Sequence, residues 1–246
     1  MSQAKGISPV RVPGLSVFLP SHNEEGNVER IVSAFLAELP RVADNYEVIV
    51  VDDGSRDRTG EIADRLAAEN PRVKVVHHPV NRGYGGAVTS GIRASTQPYV
   101  LLSDGDGQFD PADIERMLPF VPDYDVVAGH RARRADPLMR RINGKAWTML
   151  VRALLGITIR DIDCGFKLFK RELLDGLELR AHGAMISTEL MARLAGRGAK
   201  VKEVEVQHLP RLAGEQSGAN LKVVTLAFKE LFALYRELKD QRRSVS

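Results

Sequence analysis

Cysteine is almost missing from this chain. Cys164 stands alone among 246 residues, which excludes an internal disulfide and any cysteine-rich zinc site and favours a reducing compartment. An excess of charge of one sign is missing too. Thirty-five Lys and Arg against 32 Asp and Glu leave a formal +3, which does not point to nucleic acid as a partner. No run approaches the ~18 apolar residues of a membrane span. Residues 15–20, following Arg11, are too short for the apolar part of a secretory leader. A cytoplasmic protein, soluble or peripheral on the cytoplasmic face of a membrane, is the expectation. Internal repeats and low-complexity tracts are absent as well. The length suits one large α/β domain with a core that needs no staples.

What is present is organised around Leu101-Leu102-Ser103-Asp104-Gly105-Asp106-Gly107-Gln108. An apolar run ends there and gives way to two carboxylates at i and i+2, with an amide at i+4. Oxygen ligands this dense suit a hard divalent cation, Mg²⁺ or Mn²⁺. Without one, the two carboxylates would repel and one would hold a proton. A calcium EF-hand loop is the bland rival, since Glu115 falls at position twelve. Phe109 at position six, where a sharp turn needs Gly, and a strand in place of the entering helix argue against it.

In chain order, residues 1–13 read as a loose tail, and 15–19 as a strand ending at Pro20. A helix follows, with Asn23 as its expected cap and Val28, Ile31, Val32, Phe35, Leu36 and Leu39 at helical spacing. Residues 46–51 form a nearly continuous β-branched run, as in a strand covered on both faces, and end in Asp52-Asp53-Gly54-Ser55. A helix over 57–69, a strand over 73–77, a helix opened by Asn81-Arg82-Gly83-Tyr84-Gly85-Gly86 and a strand over 98–103 come next. Four strand–helix alternations predict a mostly parallel, doubly wound sheet. Ligands bind such sheets beyond the carboxyl ends of the strands. Ser21-His22-Asn23-Glu24, Asp52-Asp53 and Asp104-Gly105-Asp106 all fall at those ends, so three acidic clusters should share one crevice.

The second half is less regular. A short strand over 125–128 leads into Gly129-His130-Arg131, and an apolar helix covers 147–155. Asp161-Ile162-Asp163-Cys164-Gly165-Phe166-Lys167-Leu168-Phe169 reads as a turn entering a strand. A helix over 187–195 and an edge strand over 199–207 follow. A polar loop from 210 to 218 then precedes a long amphipathic helix marked by Leu221, Val224, Phe228, Leu231, Tyr235 and Leu238. His22, His77, His78 and His208 form no convincing set and read as loop and edge residues. A Rossmann dinucleotide site is mimicked by Gly83-Tyr84-Gly85, but Val88 holds the third glycine position and the motif follows the third strand.

Taken together, these pieces resemble the inverting nucleotide-sugar glycosyltransferases of family 2, and within them the dolichol- or polyprenyl-phosphate sugar synthases. Pro20-Ser21-His22-Asn23-Glu24, Val51-Asp52-Asp53-Gly54-Ser55, Asn81-Arg82-Gly83-Tyr84-Gly85, Asp104-Gly105-Asp106-Gly107-Gln108, Gly129-His130-Arg131, Asp163-Cys164-Gly165-Phe166-Lys167-Leu168-Phe169, and Arg211 with Gly214 and Ser217 occur in the family's order. The resemblance implies a GT-A fold with an irregular acceptor side, occupying residues 14–218, and a C-terminal amphipathic helix and tail at 219–246. It further implies that Pro20, His22, Glu24, Asp52, Asp53, Arg82, Gly83 and Asp104 contact the nucleotide, and that Asp104, Asp106 and Gln108 hold the metal on the donor diphosphate. One departure stands out: Ser217 comes one residue later than the family's Arg-x-x-Gly-x-Ser pattern expects, and the next lysine is Lys222.

The expected reaction moves a hexose from a sugar nucleotide, with GDP-mannose slightly favoured over UDP-glucose by analogy, to a polyprenyl or dolichyl phosphate. An anionic phosphate nucleophile needs positive charge more than a base. Arg131, Arg133, Arg134, Arg140, Arg141 and Lys145 offer six cations against Asp136 alone. Arg131 is the first choice for that phosphate, then Arg140 or Arg141, with Arg211 and Ser217 toward the donor. A hydroxyl acceptor, such as a soluble glycan or metabolite, would instead need a base, for which Asp163 and Glu189 are the candidates. A non-catalytic sugar-nucleotide-binding protein is the remaining alternative. The terminal helix could lie on a membrane, pack on its own sheet, or dock a small membrane subunit.

Overall fold

Alternation of buried side chains along the strands decides the architecture. Val17 and Leu19 of β1 (Val12–Ser21) and Val48 and Val50 of β2 (Ala43–Asp52) enter one apolar layer, while Phe18, Ile49 and Val51 enter another. Both faces of these strands are therefore buried, as their β-branched sequences require. The first layer is closed by α1 (Val28–Val42), through Ile31, Val32, Phe35 and Leu39, and by α2 (Thr59–Glu69), through Ala63 and Leu66. The second is closed by α3 (Tyr84–Ala94), α5 (Leu138–Leu155), α6 (Met185–Gly196) and α7 (Leu221–Ser244). A short α4 (Ile114–Met117) lies on the first side. The computed structural model describes residues 10–131, 138–211 and 221–244.

The sheet has seven strands in the order β3-β2-β1-β4-β6-β5-β7, with β3 Val73–His77, β4 Tyr99–Ser103, β5 Val126–Arg131, β6 Phe166–Lys170 and β7 Val201–Val206. All run parallel except β6, which is antiparallel to both β4 and β5. Strand order reverses between β1 and β4, and the crevice beyond their carboxyl ends is the switch point where ligands bind in such sheets. The expected parallel half is present, and β7 is the expected edge strand. The helix cap differs from expectation. Asn27, not Asn23, occupies the N-cap of α1, because residues 24–27 first make a turn in which the Asn27 and Val28 amides both reach the Glu24 carbonyl. Asn23 instead takes a left-handed conformation, φ 55°, and its Oδ1 accepts the Arg56 amide. The terminal helix packs on the body through Leu231 and Leu234.

One buried carboxylate ties the parallel half together. Glu47 on β2 is 3% exposed; its Oε1 accepts from Ser16 Oγ at 2.6 Å and from the amide and hydroxyl of Thr96, just after α3. Lys74 of β3 donates to Oε2 at 2.5 Å. Burial alone would raise its pKa, but these bonds outweigh burial and hold it below the ordinary 4.5. Glu47→Ala should therefore cost about 2–4 kcal/mol in urea unfolding at neutral pH. Because the folded pKa is depressed, that difference should be complete above pH 4.5 and shrink as pH falls through the folded value. A difference under 1 kcal/mol would show that the network is not structural.

Candidate active site

Main-chain bonds draw the three acidic strand ends into one crevice. The Asp53 amide donates to the Ser21 carbonyl at 2.9 Å, and the Gly105 amide donates to the carbonyl of buried Pro20. Beyond β4, Asp104 and Asp106 are half-buried. Tyr84, at the start of α3, donates its hydroxyl to Asp104 Oδ1 at 2.7 Å. Burial, then the Asp104 charge, push this phenol well above its ordinary pKa, so it remains a donor. On the other side, the Asp104 amide donates to the Gly165 carbonyl. Gly165 itself lies so close to the Asp104 carboxylate that a β-carbon there would overlap it. Asp106 Oδ1 accepts the Gln108 amide, a short local turn that aims its other oxygen across the crevice.

This pair is electrostatically uncomfortable. Burial, and then repulsion from Asp104, push the Asp106 carboxyl up to about 6. Arg211 supplies part of the missing positive charge: its guanidinium pairs with Glu24 and stands 3.5 Å from Asp106 Oδ2. Glu24 is 7% exposed, and burial raises its pKa despite Arg211 and the Asn27 amide group. Two hard carboxylates held side by side with unmet charge fit a divalent cation. Among the described residues no group of three or more His, Cys, Asp and Glu forms a metal site. The remaining ligands would therefore come from a bound diphosphate and water. Gln108 spends its amide nitrogen on the Leu209 carbonyl, so Oε1 is the atom that could face a cation.

The other expected nucleotide residues fall around the same crevice with varied engagements. Asp53, 2% exposed, accepts from the Arg82 amide at 2.8 Å and pairs with His78 Nδ1 at 2.5 Å. Asp52 accepts the Ser55 amide and pairs with His77, which also meets Asp64. Their side chains therefore shape the wall as much as they face it. His22 is exposed and touches the Asp53 carbonyl through Nδ1. Gly83 has φ 79° and lies against the His182 carbonyl, a position only glycine fits. The Arg82 side chain is exposed at the mouth. His78 lies in the loop after β3, as expected, but it is buried, 6% exposed, and spans from Asp53 to Ser90 Oγ at 2.8 Å.

The acceptor-side residues are less free. Arg131 makes a two-pronged pair with buried Asp161, Nε to Oδ2 at 2.7 Å and Nη2 to Oδ1 at 2.9 Å. Glu189 is 3% exposed and fully engaged: Oε2 accepts the Arg180 and Ala181 amides and Oε1 accepts from Arg193. It pins the loop whose His182 carbonyl receives the Gly85 amide at the head of α3. Asp163 is half-buried in the turn before β6. Arg140 and Arg141 belong to α5, but their side chains, and Ser217 entirely, lie outside the described residues. The sequence placed Tyr84 and Lys167 in family-like motifs but gave neither a role at the site.

A mostly parallel sheet with a carboxylate pair at its switch point defines the GT-A class, and comparison with known proteins agrees. The glycosyl transferase family 2 model matches residues 16–177, two thirds of the chain, so the protein belongs to glycosyltransferase family 2 and is a glycosyltransferase. It is 30% identical over 226 residues to the undecaprenyl-phosphate 4-deoxy-4-formamido-L-arabinose transferase of Pectobacterium atrosepticum, covering 91% of this chain and 68% of that one. It is 33% identical over 205 residues to the dolichyl-phosphate hexose transferase of Haloferax volcanii, covering 82% and 85%. Glucosyl-3-phosphoglycerate synthase of Mycobacterium tuberculosis, solved with phosphoglyceric acid, has the same fold. Its TM-score is 0.70 at 21% identity, over 92% of this chain and 80% of that one. The same enzyme solved with Mn²⁺ and UDP-glucose gives a TM-score of 0.68.

If Tyr84 orients Asp104, Tyr84→Phe should weaken divalent-cation binding about tenfold while leaving the fold intact, as second contacts to a ligand usually do. Titration calorimetry with Mn²⁺ would check this. Unchanged affinity would remove Tyr84 from the site.

Proposed function

We propose that this enzyme transfers a hexose, with inversion, from a nucleoside-diphosphate sugar to a polyprenyl phosphate. The observation that carries the reading is the Asp104–Asp106 pair, held with unmet negative charge at the switch point of the sheet. Asp104 and Asp106, with Gln108, would hold Mg²⁺ or Mn²⁺. That ion would supply positive charge to a diphosphate leaving group as its bond to the sugar breaks. Around it, Glu24, Asp53 and the Arg82–Gly83 turn would seat the nucleotide. Arg211, now paired with Glu24 and Asp106, would be available to donor phosphate oxygens.

The acceptor is chosen by chemistry and by kinship. Of the two candidate bases, Glu189 is consumed by Arg193 and two amides, which weakens the hydroxyl-acceptor reading. A phosphate monoester brings its own negative oxygen and needs none. The two relatives named above carry undecaprenyl phosphate and dolichyl phosphate in their names, which supports a lipid phosphate here. Glucosyl-3-phosphoglycerate synthase supports Mn²⁺ with a uridine nucleotide as a workable combination on this fold. GDP-mannose and UDP-glucose remain the two donors to offer first.

A lipid acceptor also requires a surface that meets lipid. On α7, Phe228 is 40% and Phe232 49% exposed, one turn apart, with Arg236 one turn further and Lys229 beside them. Trp147 of α5 stacks edge-on to Phe228 at 5.5 Å. Aromatic rings flanked by cations suit the boundary of an anionic bilayer. No described helix is long and apolar enough to cross one.

The test is a partition assay. Purified protein with Mn²⁺ or Mg²⁺ is offered labelled GDP-mannose or UDP-glucose and a short polyprenyl phosphate. Label should enter the organic phase, should be lost with EDTA, and should fall at least a hundredfold in Asp106→Asn. Transfer only to water-soluble acceptors would overturn the lipid reading, and full activity in Asp106→Asn would overturn the metal assignment.

A further inference from the structure

Lys167 is a buried charged group that the proposed reaction does not use. It is the second residue of β6, opposite Leu102 of β4 and Ala128 of β5, and is 0% exposed. Leu102, opposite it on β4, and Phe169, on the same face of β6, are apolar and buried. Sinking an ammonium group among such neighbours is strongly unfavourable, and burial lowers its pKa. An aliphatic side chain would fill the position with less cost to stability. The lysine therefore has some other consequence.

Its contacts show where that consequence falls. Nζ donates to the Ile162 carbonyl at 3.0 Å and to the Cys164 carbonyl. Both belong to the turn that precedes β6. The next residue, Gly165, receives the Asp104 amide on its carbonyl and rests against the Asp104 carboxylate. At its other end, the turn begins with Asp161, clasped by Arg131. A single ammonium thus gathers two carbonyls from beneath and holds the wall that backs Asp104.

We infer that Lys167 is a positioning residue for Asp104, fixing the 162–165 turn from below so that the carboxylate keeps its orientation toward Asp106 and the bound cation. This rests on the proposal that Asp104 and Asp106 hold that cation. Without Nζ, two buried carbonyls lose their donor and must turn to find another. The Gly165 carbonyl then no longer stays in register with the Asp104 amide. Nothing in this role requires Lys167 to touch substrate.

Lys167→Met keeps the length of the side chain and removes the donor. Two readouts separate this inference from the metal assignment. Native-state hydrogen exchange reports the Asp104 amide directly, in metal-free protein: exchange should quicken about tenfold in the variant, while the β1 and β2 amides stay protected. Mn²⁺ titration reports the consequence: affinity should fall about tenfold or more, and Lys167→Arg should recover part of it. Unchanged exchange at Asp104 would overturn the inference whether or not metal binds. Wild-type protein that binds no Mn²⁺ would instead overturn the metal assignment and leave the exchange result to decide the role of Lys167. If Lys167→Met fails to fold, Gly165→Ala disturbs the same contact from above. It should lower Mn²⁺ affinity alike, and wild-type affinity in that variant would also overturn the inference.

Discussion

Two carboxylates that cannot comfortably share a half-buried crevice are the constraint on which this structure turns. Asp104 and Asp106 leave the end of β4 two residues apart, and repulsion with burial lifts Asp106 to about 6. Keeping both aimed at one point takes a supporting shell. Tyr84 donates from α3, the Gly165 carbonyl takes the Asp104 amide, and Arg211 bridges Glu24 toward Asp106. Those supports come from four separate parts of the chain. The fold brings them together because β6 runs antiparallel beside β4, so the turn entering β6 stands at the same edge as the end of β4. The parallel half delivers the acids and the antiparallel strand delivers their backing.

A bound cation and a polyanionic ligand would relieve this arrangement. A nucleoside diphosphate brings charge that carboxylates alone would repel, and a divalent ion reconciles the two. Membership of glycosyltransferase family 2 and the proposed lipid-phosphate acceptor fit the same logic. The site is rich in groups that balance charge, and Glu189, one of the two candidate bases, is bound to Arg193 and two amides.

Much of this was legible in the sequence, and the reasons differ by element. Strands β1 to β4 announce themselves because sheets covered on both faces demand continuous β-branched runs, as in residues 46–51. Acidic clusters at the ends of such runs could be placed in one crevice by topology alone. Strand direction in the second half was not legible, since no turn chemistry around residues 161–166 distinguishes a parallel from an antiparallel β6. Tyr84 and Lys167 were hidden for different reasons. A tyrosine at a helix start does not reveal which carboxylate its hydroxyl will meet, and a lysine in Phe-Lys-Leu-Phe does not reveal that it is buried. Asn23 was mistaken for a cap because the local pattern ignores the 24–27 turn that precedes α1.

The most direct measurement is electron paramagnetic resonance of Mn²⁺ titrated into the protein with and without UDP or GDP. The account predicts one bound ion per chain, held more tightly when a nucleoside diphosphate is present, and lost when Asp104 or Asp106 is replaced by Asn. Mn²⁺ that binds equally well without either carboxylate, or none bound with either diphosphate, would contradict it.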